Sequence, residues 1–374
     1  MPPRHAYVHV PFCRHRCGYC DFTLVAGRDG LVGRYLEALA RELDRVPDHL
    51  PLDTLYLGGG TPSHLGPVGL ERLFALLDRR LRPEPGAEVT VEANPGDVTA
   101  ALVAAARDAG VTRVSLGAQS LDAATLVALD RDHSPDDVRR AVEHLRNAGL
   151  IVNVDLMTAA PGQGIAAVEA DLDAAIALDC DHVSVYCLTW EKGTAFESRR
   201  RRGLLAPVAE PVERAMFDAA IDRLGAAGFE HYEVSNFARP GRRCRHNQAY
   251  WDCRPWEAFG PSAARFDGRT RTTNHRSVTT WINRVLAGAD ATGDVDAMTA
   301  IEAARERLVV GLRRCDGIDR AAFIAASGFD VDALAGTAIA RWVAWGLASD
   351  DGRVVRLTRA GMLVSDGLWG AVLG

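Results

Sequence analysis

Three of the chain's eight cysteines, Cys13, Cys17 and Cys20, fall within eight consecutive positions as C-x-x-x-C-x-x-C, in a loop that also holds Gly18. Thiolates are soft ligands. Three on one loop can hold three irons of a cubane four-iron four-sulfur (4Fe-4S) cluster and leave the fourth iron open. A structural zinc ion wants four closed ligands, and His9 or His15 could complete such a set, so zinc stands as the alternative. A second group has the polarity of a ligand site. Gly58-Gly59-Gly60-Thr61-Pro62 follows an apolar run, and where side chains are absent the main chain can approach a ligand closely; a plain turn is the other reading. Glu92, Gln119 and Asp155 end β-like apolar runs. Polar groups there are costly unless hydrogen-bonded, which a ligand can accomplish and so can a structural partner.

These residues need a frame that brings them together. Runs at 7–10, 54–57, 88–92, 113–116, 151–157 and 182–188 have the length and β-branched content of strands, and their starts lie 25 to 47 residues apart. Between them, 34–46, 69–81, 100–109, 135–148 and 165–178 carry apolar residues at helical spacing. Gly110, Gly149 and Gly228 stand where helices should stop. Repeated strand-helix units predict an α/β fold with a parallel sheet, here a partial parallel (β/α)6 TIM-like barrel. Ligand chemistry in such a barrel collects at the carboxyl ends of the strands, which is where the cysteines, the glycine run, Glu92, Gln119 and Asp155 all fall. After residue 229 the pattern breaks into a polar, aromatic, Arg-rich stretch (230–276). Mostly helical sequence (279–347) follows, then a strand at 354–357 and a helix over 358–373. The expected division is 1–230 barrel, 231–290 connecting segment and 291–374 a smaller, mainly helical C-terminal domain.

Composition narrows the function. The 374 residues are 48% hydrophobic and 25% charged, with 43 Lys+Arg against 49 Asp+Glu for a net charge of −6. That balance argues against a general nucleic-acid-binding surface. Eight cysteines are too sparse for a secreted disulfide scaffold. No apolar run reaches the ~20 residues of a membrane span and no secretory leader is visible, so the expectation is a cytoplasmic protein, not integral to the membrane, with peripheral attachment left open.

The cysteine spacing, its place after the first strand and the polar strand ends together resemble the radical S-adenosylmethionine superfamily, over almost the whole chain. The nearest likeness is the HemN/HemW family around oxygen-independent coproporphyrinogen III oxidase, and within it the HemW-type heme chaperones. The resemblance implies that Cys13, Cys17 and Cys20 bind a 4Fe-4S cluster whose open iron chelates S-adenosylmethionine. It also implies that Tyr7, Phe22, Gly59, Gly60, Thr61, Glu92, Gln119, Arg131 and Asp155 surround that cofactor, and that an electron donor reduces the cluster. One departure is visible: after Asp155 the family reads Tyr-Gly-Leu-Pro-Gly or similar, whereas this chain has Thr158-Ala159-Ala160-Pro161-Gly162.

Two features separate chaperone from oxidase. The oxidases place a fourth cysteine two residues after the triplet and carry a long N-terminal extension; here Phe22 takes that position, and 12 residues precede Cys13. Farther on, His246-Asn247-Gln248-Ala249-Tyr250-Trp251 fits the family's H-N-x-x-Y-W motif. Its imidazole could ligate heme iron and its rings could pack on a porphyrin; alternatively His246 and Asn247 cap a turn and the aromatics fill the barrel rim. Arg242, Arg243, Arg245, Arg254, Arg269 and Arg271 could meet porphyrin propionates, or be solvated like the run 199–202. Cys180, Cys187, Cys253 and Cys315 read as small buried residues. The implied task is to bind heme and deliver it to hemoproteins such as respiratory enzymes, with S-adenosylmethionine cleavage available but without coproporphyrinogen oxidase activity. A radical enzyme, either that oxidase or a radical methyltransferase, is the alternative.

Overall fold

The computed structural model describes residues 3–374. Each expected strand forms, the first five longer than their apolar runs, and five helices lie where the periodicity puts them. In chain order the elements are β1 His5–Val10, the two-residue strands β2 Phe12–Cys13 and β3 Val25–Ala26, α1 Val32–Leu43, β4 Leu50–Gly59, α2 Gly66–Leu77, β5 Leu81–Ala93, α3 Ala100–Asp108, β6 Arg113–Gln119, α4 Ala123–Ala128, α5 Pro135–Asn147, β7 Ile151–Thr158, α6 Ile165–Ala177 and β8 His182–Cys187. Strands β1, β4, β5, β6, β7 and β8 are hydrogen-bonded neighbours in that order, all parallel. Helix α1 turns Tyr35, Leu36, Leu39 and Leu43 inward, the one-face stripe that docks a helix on a sheet. Helix α5 opens with a capping box between Ser134 and Asp137. Gly110 and Gly149 follow helices at φ of 80° and 74°, a left-handed conformation that glycine adopts without strain.

The sheet does not stop at residue 230. After α7 Ala195–Arg201 and α8 Glu210–Ala226, strands β9 Glu230–Glu233 and β10 Asn236–Ala238 add antiparallel to the β8 edge. Helix α9 Arg245–Trp251 then precedes β11 Glu257–Phe259, which pairs parallel with β1 on the opposite edge. The Arg-rich stretch therefore extends both edges of a nine-stranded sheet. Its strands are three or four residues long, too short for a period of two to show in the sequence.

Beyond β11 come a three-stranded antiparallel sheet (β12 Ala264–Phe266, β13 Thr270–Asn274, β14 Thr292–Ala297) and α10 Val278–Leu286. The C-terminal part is mainly helical, with α11 Ala300–Gly311, α12 Arg320–Ser327 and α13 Val331–Ala344 against a small sheet of β15 Ile318–Asp319, β16 Ala348–Asp350 and β17 Val354–Leu357. Two large cores result, one between Ala6 and Ile282 and one between Ala304 and Val372 that holds Leu308, Phe323, Trp342 and Trp369, with a small third cluster of Leu129, Met157, Ala160, Leu188 and Phe196. No helix among the described residues is long and apolar enough to cross a membrane.

Candidate functional site

The cysteine loop leaves β1 and is tied down by its own main chain. Strands β2 and β3 pair Phe12 with Val25 and Cys13 with Ala26, closing the loop at its neck. Arg16 reaches across it, donating from Nη1 to the carbonyls of Cys20 (3.1 Å) and Phe22 (3.3 Å) and from Nη2 to that of Leu24 (3.0 Å). His9 Nε2 donates to the Thr23 carbonyl at 2.7 Å, so Nδ1 is left to accept from the Tyr7 hydroxyl at 3.1 Å. Gly18 has no side chain because Phe196 stands there: a Cβ would lie 2.3 Å from its ring.

All three thiols are free. Cys13 Sγ lies 3.2 Å from Thr61 Oγ1, and Arg131 Nη1 donates to Cys17 Sγ at 3.4 Å. Burial pushes the Cys13 thiol up to about 11 although the Thr61 contact pulls it down; metal binding is what makes such a group give up its proton. His9 is committed at both nitrogens, and His15 Nε2 donates to the Asp130 carbonyl at 2.7 Å. Among the described residues, no three His, Cys, Asp or Glu side chains converge as a single ion would require. Three soft thiols on one loop, one of them beside a guanidinium, are a donor set that fits a 4Fe-4S cluster.

The strand ends gather around this loop. Glu92, at the end of β5, accepts from the Tyr56 hydroxyl (2.8 Å) and from the Gly59 N–H (2.9 Å). Burial raises its carboxyl to about 7 against the pull of the Tyr56 hydrogen bond. The glycine run makes room chiefly for the protein itself. A Cβ at Gly58 would strike the Glu92 carboxyl, one at Gly59 the His9 ring, and one at Gly60 the Phe12 main chain, all within 3 Å. Gln119 ends β6 at a φ of 65°, a strained conformation for a non-glycine residue of the kind that collects at functional sites. Arg131 donates to the Gly117 carbonyl at 2.9 Å and so ties β6 to Cys17. Asp155 accepts from Asn153 (2.8 Å) and Ser115 (3.1 Å), and burial raises its carboxyl while Ser184, Ser115 and Asn153 draw it back. Tyr7 stacks on Tyr56 at 6.1 Å between ring centres. Cys13, Cys17, Cys20, Tyr7, the glycine run, Thr61, Glu92, Gln119, Arg131 and Asp155 thus share one end of the barrel. In the departure after Asp155, Ala159 adopts φ of 61°, where the resembled pattern has glycine.

Phe22 belongs elsewhere. It is 62% exposed and lines a separate cleft with Thr23, Leu24 and residues at the start of α10; with Arg16 holding the Phe22 carbonyl, the ring does not close over the strand ends.

His246 also lies apart from the cysteines. Its Nδ1 is 2.8 Å from the hydroxyl of Thr54, which lies mid-strand in β4 opposite His5 at the start of β1, and its Nε2 is 2.9 Å from the Tyr250 hydroxyl. The residue is 1% exposed, and burial lowers its pKa to about 3. Both ring nitrogens are hydrogen-bonded within the fold, so the imidazole could ligate a heme iron only by giving up one of these contacts. The buried Glu88 carboxylate accepts from the main-chain N–H groups of Arg245 and His246, at the first turn of α9, and is paired with Arg113 Nε at 3.1 Å. The H-N-x-x-Y-W helix therefore plugs the amino-terminal end of the barrel, opposite the cysteines. Of the downstream arginines, Arg242, Arg243, Arg254 and Arg271 face carboxylates of the chain itself. Cys180 and Cys253 are buried as expected, whereas Cys187 is exposed and Cys315 half-buried.

Sequence reasoning missed the lining of the lumen: Tyr56, Thr90, Arg113, Ser115, Asn153, His182, Ser184 and Tyr186 surround a small chamber there. A signal for it exists. Positions 54/56, 88/90/92, 113/115, 153/155 and 182/184/186 are polar at every second residue of otherwise apolar strands, the period that marks one sheet face.

Comparison with known proteins bears on the same residues. The radical SAM superfamily matches residues 7–175 and the HemN C-terminal domain residues 298–364. The protein named heme chaperone HemW of Bacillus subtilis is 33% identical over 379 residues, covering 99% of both chains. Its namesake from Mycobacterium tuberculosis is 38% identical, covering 100% of this chain and 95% of that one. The structure of coproporphyrinogen III oxidase (HemN) from Escherichia coli superposes with a TM-score of 0.87 over 100% of this chain and 91% of that one; at 21% identity it speaks to the fold alone. Identity of a third or more along nearly the full length of both partners is a family relation, and the chain belongs to the HemW family of radical S-adenosylmethionine proteins.

Proposed function

We propose that the protein binds heme and delivers it to hemoproteins such as respiratory enzymes, as a cytoplasmic or peripherally membrane-attached chaperone supplied by an electron donor. The observation that carries this reading is the full-length likeness to relatives named heme chaperone, together with a phenylalanine, Phe22, at the place where the oxidase pattern has a fourth cysteine. A phenyl ring can neither ligate iron nor pass a hydrogen atom.

Cys13, Cys17 and Cys20 would hold the 4Fe-4S cluster, and Tyr7, Gly59, Gly60, Thr61, Glu92, Gln119, Arg131 and Asp155 would surround S-adenosylmethionine. When bound, these groups supply one-electron reduction of a sulfonium. The chain's residues provide position and charge. Arg131 sets a positive charge beside the Cys17 sulfur, and Thr61 offers a hydroxyl to that of Cys13. Glu92 titrates near neutrality, so an ammonium group arriving beside it would favour its ionised form and be held by it. Asp155 is pre-aligned by Ser115 and Asn153 and keeps its remaining acceptor capacity for a donor group of the cofactor.

The test is a hemin titration of the anaerobically reconstituted protein, with coproporphyrinogen turnover assayed in parallel. Saturable hemin binding without turnover is expected. Porphyrinogen decarboxylation would overturn the chaperone reading in favour of the oxidase.

A further inference from the structure

Heme is a flat apolar ring with two carboxylates on one edge. A site for it needs an opening large enough for the ring, an apolar surface to face it and cations that the protein has not already neutralised. This inference rests on the heme-binding reading above and asks where the ring sits, given that His246 is buried and hydrogen-bonded at both nitrogens.

Three openings can be compared. The lumen chamber, about 20 Å³, has room for about one water. A groove of about 420 Å³ beside α2 and α3 offers Phe74 and leucines, but its charged residues are Glu71, Asp78 and Asp108, with no cation. It would repel a dicarboxylate. The third opening, about 400 Å³, lies between the returning cysteine loop and the start of α10. It combines Phe22, Leu24 and Val278 with Arg16, Arg276 and a single acid, Asp21.

Charge separates the two large openings. Arg16 gives three of its five N–H groups to main-chain carbonyls, which are neutral, so its charge is not paired with a carboxylate and two donors remain. Arg276 is exposed and, among the described residues, makes no ion pair, whereas Arg242, Arg243, Arg254 and Arg271 are each matched to an acid. In a chain of net charge −6, two uncompensated guanidinium groups beside a phenyl ring that is 62% exposed are complementary to an amphipathic dianion. We infer that the cleft between Phe22 and Arg276 is the heme site, with the porphyrin face against Phe22 and the propionates directed to Arg276 and Arg16. Because Arg16 also holds the Cys20 carbonyl, the site would share the loop that carries the cysteines.

The experiment titrates hemin, and separately hemin dimethyl ester, into the reconstituted full-length chain, reading tryptophan quenching and hemin absorption, with iron and sulfide content measured for each variant. Arg276→Glu should weaken hemin binding by about tenfold, the scale of one lost charge-assisted contact, and leave the ester nearly unchanged. Phe22→Ala should weaken both ligands by about fivefold, as expected for loss of an aromatic contact. Asp21→Asn should tighten hemin binding, a gain that damage to the fold would not produce. If the wild-type chain does not bind hemin, the chaperone reading itself falls. If it binds and Arg276→Glu and Asp21→Asn leave the affinity unchanged, the heme lies elsewhere and only this site is refuted. An equal loss for hemin and its ester in Arg276→Glu would likewise refute the charge argument.

Discussion

Replacing Glu92 by Gln probes how the barrel stores charge for its cofactor. Burial raises the Glu92 carboxyl from 4.5 to about 7, so across that window the folded chain holds a proton that the unfolded chain has lost. Stability from this group is therefore greatest at low pH and declines as pH rises from about 4.5 to about 7. At about 1.4 kcal/mol per pH unit, the full penalty by pH 8 is about 3 kcal/mol. Gln cannot ionise and escapes this penalty, and it resembles the protonated carboxyl, with Oε1 left to accept from the Gly59 N–H and Nε2 able to donate to the Tyr56 oxygen. The two proteins should lie within about 1 kcal/mol of each other near pH 5, and the variant should be more stable by about 3 kcal/mol at pH 8. Urea unfolding of the metal-free chain at the two pH values checks this, through a midpoint that moves with little change in slope. The same variant should bind S-adenosylmethionine more weakly while its cluster still assembles. A stability difference that does not change between pH 5 and pH 8 would refute the argument.

Three further outcomes are expected. Ala159→Gly relieves a left-handed backbone and should add about 0.5–1 kcal/mol, read as a higher thermal midpoint; a lower midpoint would mean that the alanine methyl contributes more than the strain costs. Arg113→Leu should destabilise the chain by about 3–5 kcal/mol, because it leaves the Glu88 carboxylate buried without its cation, and it should loosen α9, measurable as faster amide exchange over 245–251. His246→Ala should cost about 2–3 kcal/mol by stripping partners from Thr54 and Tyr250; a hemin affinity lowered tenfold in a folded variant would return the imidazole to the heme site.

The H-N-x-x-Y-W segment shows where sequence reading stops. Its residue types announced a cluster of aromatics and an imidazole, and a structural role as cap and filler was one of the two readings open. Which end of the barrel it occupies depends on register, because Thr54, mid-strand in β4 and paired with the first residue of β1, and Gly59, the last residue of β4, lie five residues apart and only the first touches His246. The six parallel strands were legible because each carries a β-rich apolar run and the first five are followed by apolar residues at helical spacing. The three short strands from 230 to 259 were not, since pairing to an existing sheet edge stabilises them rather than any pattern of their own. The cysteines, Glu92, Gln119 and Asp155 were legible as a group for a topological reason: in a parallel barrel every strand delivers its last residues to the same rim.

The polar lumen joins these two ends of the barrel. A parallel strand covered by helices would ordinarily be apolar on both faces, yet here one face of five strands is polar at every second position. Those groups largely satisfy one another: Asn153 bonds Ser115, Asp155 and Ser184, while His182 lies between Asn153 and Tyr232. Such a network rigidifies what it touches, although Thr90 Oγ1 and Arg113 Nη1 within it are left without partners, and Asp155 at its upper end is aligned by it. At the lower end, Arg113 pairs with Glu88 and also donates to the Arg242 carbonyl at 2.7 Å, just ahead of α9. The plug at one mouth and the carboxylates at the other are thus held by polar groups of the same lumen, and a change at Arg113 should be felt at the cofactor end through Ser115, its neighbour but one on β6.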